Sequence, residues 1–189
     1  MGEAIAVHEW DAHYAAGRDF RPVMDDEAAA FARHVGTGNG RLALDIGCGT
    51  GGFARHLHGL GYDVLGVDCA QTAIAQASAQ CDSREGVTFH CWDAENDDWE
   101  NLAHSEYDLI TTRLSYAFIQ DKTAFLKRVR HQIAFSGTFY VMTPLADQLP
   151  HARRGIGITP EEVEELRHGW HAVREYQIDS VHTCYVMTS

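Results

Sequence analysis

Short apolar runs alternate with segments of helical periodicity along most of the chain. The runs that predict strands are Leu42–Ile46, Asp63–Val67, Val87–Cys91, Asp108–Thr112 and Thr138–Met142. The segments that predict helices lie between them, at Gly51–Leu60, Gln71–Gln80 and Lys122–Ile133. Strands that alternate with helices form parallel sheets covered on both faces. The pattern therefore predicts an α/β protein with helices on both faces of one sheet.

The last part of the chain follows a different pattern. A helix is predicted after Thr159, because Pro160 stands at the first helical position and Glu162 completes a capping box. Two strand-like segments follow, Ala172–Ile178 and Val181–Thr188, with only two residues between them. So short a connection permits an antiparallel hairpin and forbids a crossover helix. The sequence therefore predicts a seven-stranded, mostly parallel sheet with a reversed last strand.

The composition narrows the class of protein. The chain has 189 residues, a length typical of one domain, and its apolar fraction of 45% is that of a globular protein. Its 27 acidic residues outnumber the 15 basic ones and give a formal net charge of −12. Nucleic acid is therefore not predicted as a partner, because binding to phosphates needs clustered Lys and Arg.

Cysteine usage and hydropathy indicate where the protein works. The five cysteines are odd in number, and no two are spaced as C-x-x-C. Neither a disulfide framework nor a metal site is predicted, and a reduced, cytoplasmic setting fits best. The longest apolar runs are far shorter than the ~20 residues that span a bilayer, and the N-terminus lacks the pattern of a signal peptide. A membrane is therefore not expected as a partner.

A glycine-rich loop, Asp45–Gly52, joins the first predicted strand to the first predicted helix. Glycine permits positive φ angles and lets a ligand approach the backbone closely. Gly47, Gly49 and Gly52 match the G-x-G-x-x-G pattern of dinucleotide sites. With Gly51 in place of Gly52, the same loop matches a G-x-G-x-G pattern preceded by Asp45. The loop alone leaves both interpretations open.

The wider sequence carries a family resemblance. Residues 44–57, LDIGCGTGGFARHL, resemble the first motif of class I S-adenosylmethionine-dependent methyltransferases. Four later segments resemble the second to fifth strands of that family in order: Val64–Asp68, Cys91–Ala94, Tyr107–Ile110 and Phe135–Phe139, the last with Ser136 where the family usually has a glycine. The resemblance covers residues 41–189. It implies a Rossmann-like fold, S-adenosylmethionine as the cofactor, and an enzyme that methylates oxygen, nitrogen or sulfur of a small molecule.

The N-terminal stretch resembles the same family. His8–Tyr14 is similar to the W-D-x-x-Y leader of small methyltransferases of the tellurite-resistance and thiopurine kind, in which the leader helix lies over the cofactor. We therefore expect a single domain over residues 1–189, with a helical leader or lid at 1–40 and a core at 41–189. A monomer or a homodimer is expected.

The resemblance assigns the cofactor contacts to residues near the predicted strand ends. Asp68 is expected to accept both ribose hydroxyls, and its charge would repel a 2′-phosphate, which disfavours NADP. A nicotinamide dehydrogenase would also need a second substrate domain. Asp93 is expected near the adenine, with a helix cap or an exposed turn charge as the alternative. The predicted cofactor-binding residues are Tyr14, Asp45, Gly47, Cys48, Gly49, Gly51, Asp68, Cys69, Asp93, Ala94 and Arg113.

The acceptor side of the site is less defined. Candidate bases that could remove a proton from the acceptor are His13, Tyr116 and His151. Selection of the acceptor is expected from the leader, from residues 113–119 and from residues 145–157. The last loop carries His151, Arg153 and Arg154, which indicate an acidic substrate unless they form only a solvated surface. Two other functions stay open on the same fold: a cyclase or lyase that consumes S-adenosylmethionine, and a non-catalytic protein that only binds it.

Overall fold

The computed structural model describes residues 5–81 and 86–189, so the first four residues of the predicted leader lie outside the described residues. The helices are α1 (Val7–Ala15), α2 (Asp25–His34), α3 (Gly52–Gly59), α4 (Gln71–Ala79), α5 (Lys122–Gln132) and α6 (Pro160–Arg167). The strands are β1 (Leu42–Ile46), β2 (Asp63–Asp68), β3 (Val87–Cys91), β4 (Tyr107–Arg113), β5 (Ile133–Pro144), β6 (Ala172–Gln177) and β7 (His182–Thr188). Short 3₁₀ turns lie at Trp99–Asn101, Tyr116–Phe118, Ala146–Gln148 and His151–Ile156.

The strands of the described chain form one sheet in the order β3-β2-β1-β4-β5-β7-β6. The first five are parallel to one another, and β7 runs antiparallel to both β5 and β6. The predicted fold class is confirmed: a Rossmann-like, mostly parallel sheet of seven strands with a reversed last strand.

Alternate residues of the central strands face opposite sides of the sheet, as the two-residue period of a strand requires. On one side, Leu44 of β1 packs in a cluster with Phe125 of α5. On the other side, the neighbouring Ala43 packs in a cluster with Phe31 of α2 and Phe53 of α3. The helices therefore cover both faces, as predicted, and the core is divided between two layers.

The predicted start of α6 is confirmed. The Thr159 hydroxyl accepts from the Glu162 N–H at 3.3 Å, and the Glu162 carboxylate accepts from the Thr159 N–H at 2.8 Å. This reciprocal pair satisfies two of the N–H groups that a helix start leaves without a partner.

Most predicted boundaries differ from the structure by one or two residues, and two of the differences have a clear physical cause. β5 begins at Ile133 rather than Thr138, because the strand pairs with β4 on both sides of a bulge. Ser136 lies in that bulge with a φ of +62°, and the adjacent Phe135 is 97% exposed. The β6–β7 connection comprises residues 178–181 rather than two residues, because the Asp179 carboxylate accepts from the N–H groups of residues 181 and 182 and closes a wider turn.

No helix within residues 5–81 and 86–189 combines the length and the apolar character that crossing a membrane requires.

Candidate functional site

A cavity of about 640 Å³ lies where the carboxyl ends of β1, β2, β3 and β4 meet the N-terminal leader. This edge of an open α/β sheet is where ligands bind in such folds, and the volume lies within the range of small-molecule sites. The lining includes most of the predicted cofactor-binding residues: Tyr14, Asp45, Gly47, Cys48, Gly49, Asp68, Cys69, Asp93, Ala94 and Arg113. The sequence therefore located the cavity and ten of the residues that line it.

The glycine loop needs glycine at two of its lining positions. Gly47 and Gly49 have φ angles of +71° and +54°, which other residues rarely adopt. A Cβ atom at Gly47 would lie 2.4 Å from the Cβ of Ser115, and one at Gly49 would lie 2.8 Å from the Tyr14 hydroxyl oxygen. The loop is thus packed closely between the leader and the segment after β4.

Gly51 is the one predicted cofactor-binding residue that does not line the cavity. Its φ is +79°, it stands directly before α3, and a Cβ atom there would lie 2.5 Å from the Phe89 ring. Its requirement for glycine therefore arises from the start of the helix and from packing on β3.

Asp45 carries a carboxylate with a free acceptor in the interior of the protein. It is 1% exposed, its Oδ1 accepts from the Thr111 hydroxyl at 2.7 Å, and its buried Oδ2 has no partner among the described residues. Burial raises the pKa of Asp45 to about 6, against the lowering effects of the Thr111 hydrogen bond and of the charge on Arg113. A buried acceptor without a partner is costly, so this oxygen is suited to a ligand that donates.

Asp68 fastens the glycine loop to the end of β2. One carboxylate oxygen accepts from the Gly49 N–H at 2.9 Å, and the other accepts from the Ala70 N–H at 2.9 Å. Burial raises the pKa of Asp68, while these two hydrogen bonds lower it. Each carboxylate oxygen has two lone pairs, so Asp68 can still accept from a ligand in the cavity.

Asp93 follows β3 and caps a turn. Its carboxylate accepts from the Glu95 N–H at 2.9 Å and from the Asn96 side-chain amide at 2.9 Å, and its own N–H donates to Asp97. The Asp93 carboxylate therefore stabilises a turn rather than capping a helix. Because Asp93 and Ala94 also line the cavity, the turn places this backbone beside the space where a ligand can bind.

Arg113, at the end of β4, is directed to the leader. Its guanidinium group donates to both carboxylate oxygens of Glu27, at 3.0 Å for Nη2, and to the backbone oxygens of Arg21 and Pro22. Glu27 is fully buried. The observed contacts of Arg113 thus fasten α2 and the preceding segment to the sheet.

Three further side chains shape the wall of the cavity: Tyr14, Cys48 and Cys69. Tyr14 is buried on α1 against the glycine loop, and burial raises its pKa. Burial also raises the pKa of both thiols, that of Cys69 to about 12. The two cysteines therefore line the cavity as neutral, compact side chains.

The structure does not bring the three candidate bases to the cavity. Tyr116 is fully buried in the core beneath α5, and burial raises its pKa. His13 stacks on Phe20 at a centroid distance of 5.0 Å, outside the lining. His151 is exposed, as are Arg153 and Arg154, and none of the three lines the cavity.

Sequence reasoning missed the residues that attach the leader. The Thr50 hydroxyl of the glycine loop donates to Asp19 at 2.7 Å, Arg21 pairs with Asp179, and Glu27 pairs with Arg113. One signal was available: Glu27 lies four residues before Phe31 and so shares the buried face of α2. A carboxylate on that face requires a cationic partner, and Arg113 supplies it.

The site fits the cofactor that the family resemblance implies. The unpartnered Oδ2 of Asp45 can accept from an amino group, and the remaining lone pairs of Asp68 can accept from ribose hydroxyls. Gly47 and Gly49 line the same cavity, so the backbone of the loop borders the space between these two carboxylates and a ligand.

The known proteins that this chain resembles are methyltransferases. A family model described as a methyltransferase domain matches residues 44–139, about half of the chain. A ubiquinone biosynthesis O-methyltransferase of Bradyrhizobium diazoefficiens is 30% identical over 125 residues, which cover 64% of this chain and 48% of that protein. The chain spans about half the length of the curated relatives that it matches.

Two solved structures share the fold. An S-adenosylmethionine-dependent methyltransferase from Aquifex aeolicus has a TM-score of 0.72 and 15% identity, with 88% of this chain and 90% of that chain covered. The plantazolicin methyltransferase BpumL, in complex with a triazolic desmethylPZN analog and S-adenosylhomocysteine, has a TM-score of 0.68 and 14% identity, with 87% and 82% covered. At these identities the likeness is one of fold.

Proposed function

The chain belongs to the class I S-adenosylmethionine-dependent methyltransferase family, and on that premise we propose that it transfers a methyl group from S-adenosylmethionine to a small-molecule acceptor. The name of the Bradyrhizobium relative, an O-methyltransferase, supports oxygen as the reacting atom. The S-adenosylhomocysteine bound to the plantazolicin methyltransferase supports the cofactor.

The observation that carries the proposal is the pair of buried carboxylates beside one glycine loop. Asp45 would hold the amino group of the cofactor, and Asp68 would hold the ribose hydroxyls. The backbone of residues 92–94, at the end of β3, would border the adenine. The ends of β1, β2 and β3 would thus bind the amino group, the ribose and the adenine of one cofactor molecule, respectively.

The contribution of the chain to catalysis is orientation and exclusion of water. When bound, S-adenosylmethionine supplies an electrophilic methyl group on a positively charged sulfur. The leader and the segment after β4 enclose the neighbouring space and can align an acceptor there, which is the main requirement of an in-line displacement. No proton acceptor is assigned to His13, Tyr116 or His151, since none of them lines the cavity.

Analysis of the products tests the proposal. The protein is incubated with S-adenosylmethionine and a panel of small phenols, thiols and amines, and the products are separated and weighed by mass spectrometry. S-adenosylhomocysteine and a methylated acceptor are expected in equal amounts. Asp68→Ala is the control: losing hydrogen bonds to a charged group, worth ~1.5–3 kcal/mol each, should weaken binding of S-adenosylhomocysteine in calorimetry.

Three other results would each replace the proposal. Methylthioadenosine in place of S-adenosylhomocysteine would indicate a cyclase or lyase. Tight binding without turnover of any acceptor would indicate a binding protein. If NAD raised the thermal stability and S-adenosylhomocysteine left it unchanged, the assignment of the cofactor would be wrong.

The proposal includes three expectations from the sequence. It treats residues 1–40 as a leader over the cofactor and residues 41–189 as the core of one domain. It takes the acceptor to be a small molecule rather than nucleic acid. It places the reaction in the cytoplasm, in a monomer or a homodimer.

A further inference from the structure

Part of the cavity is apolar and lies outside the residues assigned to the cofactor. We call it the apolar chamber and define it by Trp10, Phe20, Val23, Leu114, Phe118 and Ile119. The first three come from the leader, and the last three come from the segment after β4. The chamber is continuous with the glycine loop because both line one cavity.

Aromatic side chains hold the two sides of the chamber together. The Trp10 ring meets the Phe118 ring edge to face at a centroid distance of 4.9 Å and lies 5.9 Å from the Phe20 ring. Phe20 nevertheless remains 39% exposed. Apolar surface at the edge of a cavity is therefore left for a ligand to cover.

The backbone of Leu114, in the wall of the chamber, is strained. It follows β4 directly, its φ is +62°, and its N–H donates to the Met142 carbonyl at 2.8 Å. A residue other than Gly, Asn or Asp seldom adopts this conformation, and such residues gather at functional sites. A glycine would remove the strain but would also remove a side chain from the chamber wall. The Leu114 side chain both packs on the core cluster that contains Phe53 and lines the chamber.

The charges around the cavity disfavour an anionic acceptor. Five carboxylates and three guanidinium groups line it. The two guanidinium groups beside the chamber are already paired, Arg113 with Glu27 and Arg21 with Asp179. The exposed basic residues of the 151–156 turn do not line the cavity. The third group, Arg55, has no carboxylate partner among the described residues, but it lies on α3, where it donates to the Thr50 carbonyl and to the Gln80 side chain. An acceptor carboxylate in the chamber would thus enter an apolar space with an acidic surround, beside two guanidinium groups that are already paired.

We propose that the apolar chamber binds an uncharged, largely apolar acceptor and that Leu114 is a specificity-determining residue of its wall. The inference rests on the proposed function, because it assigns the chamber to the acceptor of that reaction.

Direct binding tests the substrate class. Three sets of para-substituted aromatic compounds are used, based on phenol, thiophenol and aniline, and each set carries a methyl, a carboxylate or an aminomethyl group. Each compound is titrated calorimetrically into the free protein and into the protein saturated with S-adenosylhomocysteine. The methyl compounds are expected to bind at least tenfold more tightly than the charged compounds of the same set. Tighter binding of either charged group, or no binding of any compound, would overturn the inference.

Matched glycine variants test Leu114. Leu114→Gly is expected to weaken binding of the best methyl compound about tenfold and to leave the affinity for S-adenosylhomocysteine unchanged. Ser136→Gly is the control, because Ser136 has the same φ of +62° but lies in the β5 bulge, outside the cavity. Equal effects of the two variants on acceptor binding would overturn the role of Leu114.

A second substitution keeps the test decisive if Leu114→Gly does not fold. Leu114→Asn retains a side chain of similar size, and asparagine tolerates a left-handed backbone. Its binding preference should shift from the methyl compound toward the charged ones, and an unchanged preference would contradict the inference.

The two proposals fail in distinguishable ways. Absence of any heat with S-adenosylhomocysteine would overturn the proposed function, whereas the acceptor titrations of the free protein would still decide the nature of the chamber. Conversely, turnover of the carboxylate compounds in preference to the methyl compounds would support methyl transfer and overturn the apolar acceptor.

Discussion

Burial of Asp45 has opposite effects on ligand binding and on the stability of the fold. It is almost completely buried, and burial raises its pKa from 3.8 to about 6. The folded protein therefore binds this proton more tightly than the unfolded chain does. The stability that Asp45 contributes is fully present below pH 3.8 and is lost as the pH rises through about 6. Retaining an acid here favours ligand binding at the expense of stability.

Replacement of Asp45 by asparagine should separate the two effects. The amide oxygen of Asp45→Asn can still accept from Thr111, and no charge is buried, so we expect thermal stability at pH 7 to be equal or higher. Affinity for S-adenosylhomocysteine should fall, because an amide does not pair with its amino group as a carboxylate does. Both quantities are measured by differential scanning and isothermal calorimetry.

The pH dependence of the same binding provides a second prediction. In the unmodified protein, affinity for S-adenosylhomocysteine should fall about tenfold per pH unit below pH 6 and level off above it, because binding requires the ionised carboxylate of Asp45. Asp45→Asn should abolish this dependence. Asp63→Asn, which removes an exposed carboxylate at the start of β2, should retain it. A dependence that survives in Asp45→Asn would assign the titration to another group.

Individual residues show what a sequence can and cannot specify. Asp45 and Asp68 were predictable because strand, loop and spacing place them at one edge of the sheet. Arg113 lines the cavity, yet its partner Glu27 lies 86 positions away, and no local pattern joins the two. His13 and Tyr116 differ from exposed candidates only in how neighbouring elements cover them. Long-range packing, and not local sequence, decides those cases.

The leader is attached to the core as an element. α1 lies on α4, where the Thr72 N–H donates to Asp11 at 2.9 Å, and α2 is held by the buried Glu27–Arg113 pair. Removing one member of a buried ion pair leaves the other charge without compensation, which costs ~3–5 kcal/mol. The attachment of α2 therefore depends on this carboxylate in addition to the packing of Phe31 in the core.

Glu27→Gln tests that dependence. We expect the free energy of unfolding in urea to fall by roughly 3 kcal/mol, because the Arg113 charge stays buried without a counter-charge. Limited proteolysis should also cut the leader sooner. Asp25→Asn removes an exposed charge from the same helical turn and should change neither result. A similar loss of stability in both variants would show that the net charge of α2, and not the ion pair, is responsible.

Elements differ in how well the sequence specified them. The capping box of α6 was predictable, because Thr159, Pro160 and Glu162 act within one turn. The early start of β5 was not, because Ile133 and Ala134 enter the strand through pairing with β4 across a bulge. Signals that act within a few residues appear in the sequence, whereas strand register depends on the partner strand.

β7 contributes more than β6 to the stability of the sheet. β7 lies between β5 and β6, and its Val186 is 2% exposed, whereas Val173 of β6 is half-buried on the edge strand. Val186→Ala should lower the free energy of unfolding by about 2 kcal/mol, and Val173→Ala should lower it by about half as much or less. Urea unfolding of both variants measures this difference. An equal loss would mean that the edge strand contributes as much as the interior one.

The strand order has a consequence for synthesis of the chain. Within residues 5–81 and 86–189, β6 pairs only with β7, so a growing chain that has produced β6 has no partner strand for it until residues 182–188 follow. Until then, the long β5 strand, Ile133–Pro144, is an open edge of a largely formed sheet. An open edge can pair with another chain and aggregate. The terminal hairpin thus protects each newly made molecule from its neighbours, and delayed translation between β5 and β7 is expected to lower the yield of native protein.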